Sequence, residues 1–449
     1  MSYSRRDLLR DATGAFAALA LPRSLLEWRH ADATTAPVDV AHKAAAWIRT
    51  AHQRTDAGIT WPADPLKPDA IDRTFYNGTP GVVLFHLELA HATGDKRALA
   101  EAAQGADDLA AFIPRYDNAG LYTGLAGTAY VLAETRRATG DGKYRDAARR
   151  ALTRIHELAQ PTGKGVEWQG DVSNDVISGA AGIGLFLLWA EQHLEDRDAV
   201  ALATKGAQRL VENAQPEHGG LKWGISPTVA TLYPNFSHGT AGVSYFLATL
   251  YERTHDQAFL DAALAGVRYL DAVAVGPPTS YKIFHHEPDG TDLFYLSWCH
   301  GPVGTARLFH RLWLSTHDRL WLDRVHECAR AIIDAGVPEQ RSPGYWNNIS
   351  QCCGDSGVGE FFLDLQRVAP RAEYKSIVER VEARLLSHAT ADGDGLKWIQ
   401  AEHRVRPELL IAQTGFMQGA SGVGTFFLHA DGVRRGRRPF LRMPDTPFV

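Results

Sequence analysis

The sequence predicts an all-α protein, a seven-fold α/α toroid in which seven parallel inner helices stand inside seven outer ones. Three observations carry this. A G-x-x-G signal opening an apolar run recurs seven times, with first glycines Gly78, Gly124, Gly179, Gly239, Gly301, Gly354 and Gly419, spaced 46 to 65 residues apart. More polar stretches of helical period lie between the copies. The first and last copies are as apolar as the middle ones, whereas an open solenoid needs polar caps at its ends.

The chain begins with "SRRDLLRDATGAFAALALP", in which Arg5 and Arg6 precede a short apolar stretch and "ADA" follows at Ala31–Ala33. This is the layout of a twin-arginine export signal. Residues 1–33 are therefore expected to be a signal peptide and residues 34–449 one toroid domain. That implies a periplasmic or extracellular protein. If the segment is instead an amphipathic helix of the fold, the cytoplasm is the alternative.

The inner helices are expected after each G-x-x-G, as in "NGTPGVVLFHLELA" and "HGTAGVSYFLATLY". These runs lack period-2 alternation and are apolar nearly all round, which marks buried helices. The glycines let the backbone turn tightly and let neighbours approach. Outer helices are expected at stretches such as "KYRDAARRALTRIHELA" and "LWLDRVHECARAIIDA", whose apolar residues recur at i, i+3, i+4 and i+7. "GVEWQG", "GGLKWG" and "GDGLKWIQ" place Trp168, Trp223 and Trp398 in Gly-rich connections. Short hairpins over one rim are expected there, with the indoles packed rather than touching ligand. The closing "VRRGRRPFLR" reads as a solvated basic tail.

Composition excludes several classes. Net charge is −5, so no basic face for nucleic acid is implied. No apolar run approaches the ~20 residues that cross a bilayer. Four cysteines in 449 residues are too few for a disulfide scaffold.

Half of those cysteines stand together in "SQCCGDSGVGEFF". If the inner helices are parallel, the turns before them share one mouth. Asp175, His238, Cys299, His300, Cys352 and Cys353 then converge at helix N-termini, where partial positive charge lowers thiol pKa values. Three thiolates suit Zn2+, with a fourth position left for water or an incoming thiol. Cys299, Cys352 and Cys353 are the candidate metal ligands. His238 is the candidate to protonate an enolate or assist a thiol, and Asp175 to orient a histidine or act as a base. Cys328 reads as a buried core thiol. His285 and His286 have no counterpart in the repeats and read as surface loop.

The motifs resemble the lanthionine synthetase C-like family. The resemblance rests on the seven G-x-x-G copies, on "SWCHG" at Ser297 to Gly301 and on "CCG" at Cys352 to Gly354, and it covers about residues 40 to 430. It implies a seven-fold toroid with zinc at its top. It also implies addition of a peptide cysteine thiol across a dehydroalanine or dehydrobutyrine, giving a thioether. The family's zinc cysteines fall on Cys299 and Cys352. Its third ligand, commonly histidine, falls on Cys353, and part of the family has this three-cysteine form. The family's aspartate and histidine near the metal match Asp175 and His238.

Two positions depart from the pattern. His300 stands where the family usually has tyrosine, and Tyr295 where it usually has arginine. Both are candidate active-site residues. The expected partner is a cysteine-containing peptide or a small thiol, with no nucleic acid and no transmembrane segment. The departures keep open a zinc-bearing thiol- or peptide-binding protein without turnover. A carbohydrate-active toroid is a third reading, but it needs paired carboxylates at the mouth.

Overall fold

A computed structural model describes residues 35–169, 173–226, 228–340 and 348–448, so the expected signal at residues 1–33 lies outside the described residues. Among these, fourteen α-helices follow in order: α1 (Pro37–Thr50), α2 (Thr79–Thr93), α3 (Lys96–Phe112), α4 (Leu125–Thr139), α5 (Gly142–Leu158), α6 (Ala180–His193), α7 (Ala199–Glu212), α8 (Thr240–Thr254), α9 (Gln257–Val273), α10 (Pro302–Thr316), α11 (Arg319–Asp334), α12 (Asp355–Val368), α13 (Ala372–Ser387) and α14 (Ala420–Arg434). The even-numbered helices are the inner ones. Each packs on the outer helix that follows it, except α14, which packs on α1. Neighbouring inner helices touch in sequence, and α14 touches α2, so the ring closes.

The seven first glycines are the N-caps of the seven inner helices. Their φ angles are all negative, so left-handed backbone is not why glycine stands there. The reason is a close approach. A Cβ on Gly239 would sit 1.4 Å from the carbonyl oxygen of Tyr233, and one on Gly304 would sit 2.1 Å from that of Trp298 and 2.4 Å from Cβ of Phe236 in the preceding turn. The tightest contacts are thus with the helix's own entering loop, and helix-to-helix approach is secondary.

Inner helices hand over to outer ones through a recurring Thr-Gly-Asp or Thr-His-Asp. Asp95, Asp141, Asp256 and Asp318 cap α3, α5, α9 and α11 by accepting backbone N–H groups. The middle residue is left-handed, with φ between 56° and 77° at Gly94, Gly140, His255 and His317. The side-chain caps satisfy amides that the helix start leaves open.

The Trp hairpins form as expected. After a first short pair, β1 (Gln53–Arg54) with β2 (Ile59–Thr60), β3 (Ala159–Thr162) pairs with β4 (Gly165–Trp168), and β5 (Gln215–Glu217) with β6 (Gly220–Lys222). β7 (Ala389–Asp392), β8 (Gly395–Ala401) and β9 (Leu410–Ala412) form a three-stranded sheet. Each indole is buried and donates its N–H thirteen residues back, Trp168 to the carbonyl of Ile155, Trp223 to Leu210 and Trp398 to Leu385. This pins each hairpin to the end of the outer helix before it.

One expectation holds in the bore of the ring and another fails. The inner helices are buried on most faces as expected, and the polar residues they carry, Glu88, Arg307, Glu360, Asp364 and His429, surround a small cavity of about 110 Å³. The terminal segment is not simply solvated. Arg434 to Arg438 are exposed, but Leu441, Asp445 and Phe448 are buried. Glu88 accepts the backbone N–H groups of Phe440 and Leu441 at 3.0 and 2.9 Å. Asp445 accepts from Tyr122 Oη, Trp298 Nε1 and Arg307 Nη1 at 3.0, 3.3 and 2.9 Å. A few apolar side chains and one carboxylate outweigh the basic residues that dominate the composition of this stretch.

His310 shows what the plugged bore does to a titratable group. Its ring packs against Phe448 and Trp313, and neither ring nitrogen has a hydrogen-bond partner among the described residues. Burial, with a smaller push from Arg311, lowers its pKa to about 4. An unfolded histidine titrates near 6.5, so between about pH 6.5 and 4 the unfolded chain binds the extra proton, and stability falls as pH falls. His310→Phe is therefore expected to lose less stability than the native chain between pH 7 and 5. The difference should be about 2 kcal/mol in denaturant titrations at the two pH values.

A belt of main-chain hydrogen bonds links the seven turns above the inner helices. The N–H of Tyr76 donates to the carbonyl of Tyr122, Tyr122 to Ile177, Val176 to Ser237, Ser237 to Cys299, Cys299 to Cys352, Cys352 to Met417, and Met417 back to Tyr76. The belt residues stand two places before the first glycines, except that at the third turn Ile177 accepts and Val176, one place earlier, donates. Cys299 and Cys352 thus occupy equivalent positions on adjacent turns, and Cys353 is one place further on.

Candidate metal centre

The belt brings the three cysteines into one cluster. Cys353 Sγ lies 3.3 Å from Cys299 Sγ and 3.3 Å from Cys352 Sγ, and all three sulfurs lie within 4.8 Å of one another. All are free thiols. A tetrahedral zinc with Zn–S bonds of about 2.3 Å would separate its sulfurs by about 3.8 Å, so the donor set fits such an ion with little movement. Cys328, the fourth cysteine, is buried on α11 away from the cluster.

The sulfurs line a cavity of about 460 Å³ at the mouth of the ring, together with Tyr76, His238, His285, Tyr295 and His300. Glu402, His403 and Arg404, between β8 and β9, complete its wall. Their environments split the thiols. Burial alone would raise Cys352, but hydrogen bonds from Cys299, Cys353 and Tyr76 bring it well below the ordinary range. Burial raises Cys299. Lowered thiol pKa values from helix N-termini alone are thus not what the structure shows; the one lowered thiol owes its shift to local donors.

Asp175 and His238 meet across two turns. His238 Nδ1 lies 2.5 Å from Asp175 Oδ2. The other carboxylate oxygen accepts the N–H groups of Ser178 and Gly179 at 2.9 and 2.8 Å. Asp175 is 1 % exposed, so the start of α6 holds it in place while the histidine reaches the cavity. The rings of His238 and His300 are 5.6 Å apart. His300 is buried and its Nδ1 has no partner among the described residues. Burial and the neighbouring histidines hold its pKa well below 6.5.

His285 corrects the surface-loop expectation. Its ring lies 4.2 Å from those of both Tyr295 and His300, and burial, then His286 and Arg404, lower its pKa to about 3. His286 joins it through an Nδ1–Nδ1 contact of 2.8 Å. Arg404 lines the same cavity as Tyr295. A guanidinium therefore reaches the mouth from the β8–β9 connection, although the position four residues before Cys299 is Tyr295. Arg404 and Tyr76 were both missed in the sequence. Arg404 sits in a connection outside the repeat, but Tyr76 occupies the first repeat's belt position, and alignment of the turns marks it.

Comparison with known proteins places the chain. The sequence profile described as lanthionine synthetase C-like protein matches residues 69–432. No curated relative matches the sequence. Among solved structures, nisin cyclase superposes with a TM-score of 0.59 at 17% identity, over 88% of this chain and 93% of that one. A family 76 glycoside hydrolase from a bovine Bacteroides thetaiotaomicron strain superposes with a TM-score of 0.51 at 15% identity, over 89% and 78%. At such identities the two structures speak for the fold alone. The profile match spans most of the sequence, and the chain belongs to the lanthionine synthetase C-like family.

Proposed function

We propose that this protein is a zinc-dependent enzyme that adds a thiol to a dehydroamino acid, forming a thioether in a peptide. The observation that carries this is one cavity shared by three clustered cysteine sulfurs and a carboxylate-held histidine. Cys299, Cys352 and Cys353 would hold the ion. Zinc there supplies the Lewis acidity that makes an incoming thiol a thiolate near neutral pH. In the addition, the thiol gives up its proton, a sulfur–carbon bond forms at the β-carbon, and the alkene pair passes to the α-carbon. His238 returns a proton to that carbon. Asp175 holds Nδ1, which assigns proton exchange to Nε2 and stabilises the imidazolium. No atom is lost and nothing is oxidised.

Among its described lining residues the cavity has one carboxylate, Glu402. That weighs against glycoside hydrolysis, which uses two. The family match supports the thioether reading, and nisin cyclase shares the fold. The binding-only alternative is decided by the assay. The zinc-loaded protein is incubated with a dehydrated peptide bearing one cysteine, and alkylatable thiol is counted by mass spectrometry, since the addition leaves mass unchanged. The thiol is expected to disappear, and His238→Asn to slow this by roughly 10²–10⁴-fold. A peptide that binds and keeps its thiol would leave a binder without turnover.

A further inference from the structure

A second set of residues stands behind the thiols, on the side of the ring where α14 meets α2. Tyr76 Oη donates to Cys352 Sγ at 2.9 Å. Gln418 Nε2 donates to Tyr76 Oη at 2.8 Å, and Gln418 lines the same cavity as the cysteines. The amide is not free to turn over. Gln400 Nε2, from β8, donates to the Gln418 backbone oxygen at 2.5 Å and lies 3.4 Å from its Oε1. Gln400 Oε1 in turn accepts the Ile349 N–H at 3.0 Å. The chain of donors runs one way, from Ile349 through Gln400, Gln418 and Tyr76 to Cys352. It draws on the first, sixth and seventh turns and on the last sheet. Neither Tyr76 nor Gln418 has a part in the chemistry assigned to His238 and Asp175.

Charge explains why such donors are needed. Three thiolates around a divalent cation leave a net charge of −1, and a thiolate in the fourth position brings it to −2. Buried negative charge without donors is costly. Hydrogen bonds to a ligating sulfur offset it and weaken electron donation to the metal.

We propose that Tyr76 and Gln418 are positioning residues of the metal centre: Tyr76 donates a hydrogen bond to Cys352 that fixes this sulfur and damps its charge, and Gln418 orients the phenol for it. This rests on the reading of the three cysteines as metal ligands. The consequence is asymmetry. Cys352 carries the phenol's hydrogen bond and is held as a ligand, which protects it from serving as a nucleophile towards an electrophilic substrate.

The test uses the full-length protein loaded with cobalt(II) or zinc. In Tyr76→Phe the ring stays and only the donor is lost. The sulfur-to-cobalt charge-transfer band is expected to move to lower energy, and zinc affinity, measured against a competing chelator, to fall roughly 10–100-fold. Iodoacetamide should label Cys352 of the zinc-loaded variant faster than that of the native protein, by peptide mapping. Gln418→Leu, which leaves the phenol in place, should shift the band less. If the native protein takes up neither ion, the metal reading fails and this proposal with it. If the native protein binds both, and Tyr76→Phe matches it in band energy, affinity and labelling, this proposal alone is overturned.

Discussion

Cys353→Ala is expected to reduce bound zinc from about one ion per chain to a small fraction of that after passage over a weak chelator, and thioether formation to fall with it. Two thiolates and water form a far weaker site than three thiolates, and Cys353 is the sulfur that lies 3.3 Å from each of the other two. Elemental analysis of the purified protein measures the effect. Cys328→Ala is the matched control, because that thiol is buried on an outer helix and belongs to no cluster; it should keep its zinc. Full zinc occupancy in Cys353→Ala would remove this residue from the ligand set. The ring itself should survive loss of the metal, since the belt joining the turns is made of main-chain bonds.

The largest effect on stability is expected at His429. Its Nδ1 lies 2.9 Å from both oxygens of Glu360, and its Nε2 is 3.7 Å from Glu88 Oε1. Burial opposes the charge, but Glu360 and then Glu88 raise the histidine pKa to about 10. The raised value means that its contribution is fully present below the unfolded value near 6.5 and is lost as pH rises through about 10. His429→Leu leaves two carboxylates in the bore without their cation. A loss of about 3–5 kcal/mol is expected in denaturant unfolding at pH 7. The gap to the native chain should narrow as the pH is raised towards 10. A gap that does not change with pH would mean that the native histidine is neutral in the fold.

What could be read in the sequence follows from what repeats. The inner helices begin where expected because two glycines per turn are dictated by the loop that crosses them, and that clash recurs seven times. The cysteines could be grouped because Cys299 and Cys352 stand at the same place in successive repeats. His285 belongs to no repeat; it reaches the cavity through a connection whose path depends on the assembled ring. The terminal segment departs from its composition because Arg434, Arg435, Arg437 and Arg438 stay at the surface while Leu441, Asp445 and Phe448 turn inward. The Thr-Gly-Asp and Thr-His-Asp handovers are legible too: they mark four helix starts by residue type alone.

The belt of hydrogen bonds has a consequence for how such a ring acquires new chemistry. Its links use only backbone atoms, so any residue but proline can stand at a link without opening it. Here the seven positions hold Tyr76, Tyr122, Ile177, Ser237, Cys299, Cys352 and Met417. They are seven sockets of one rack: Tyr76, Ile177, Ser237, Cys299 and Cys352 line the opening, and Tyr122 and Met417 line the bore below it. Swapping the contents of a socket changes what the opening binds and leaves the rack as it was.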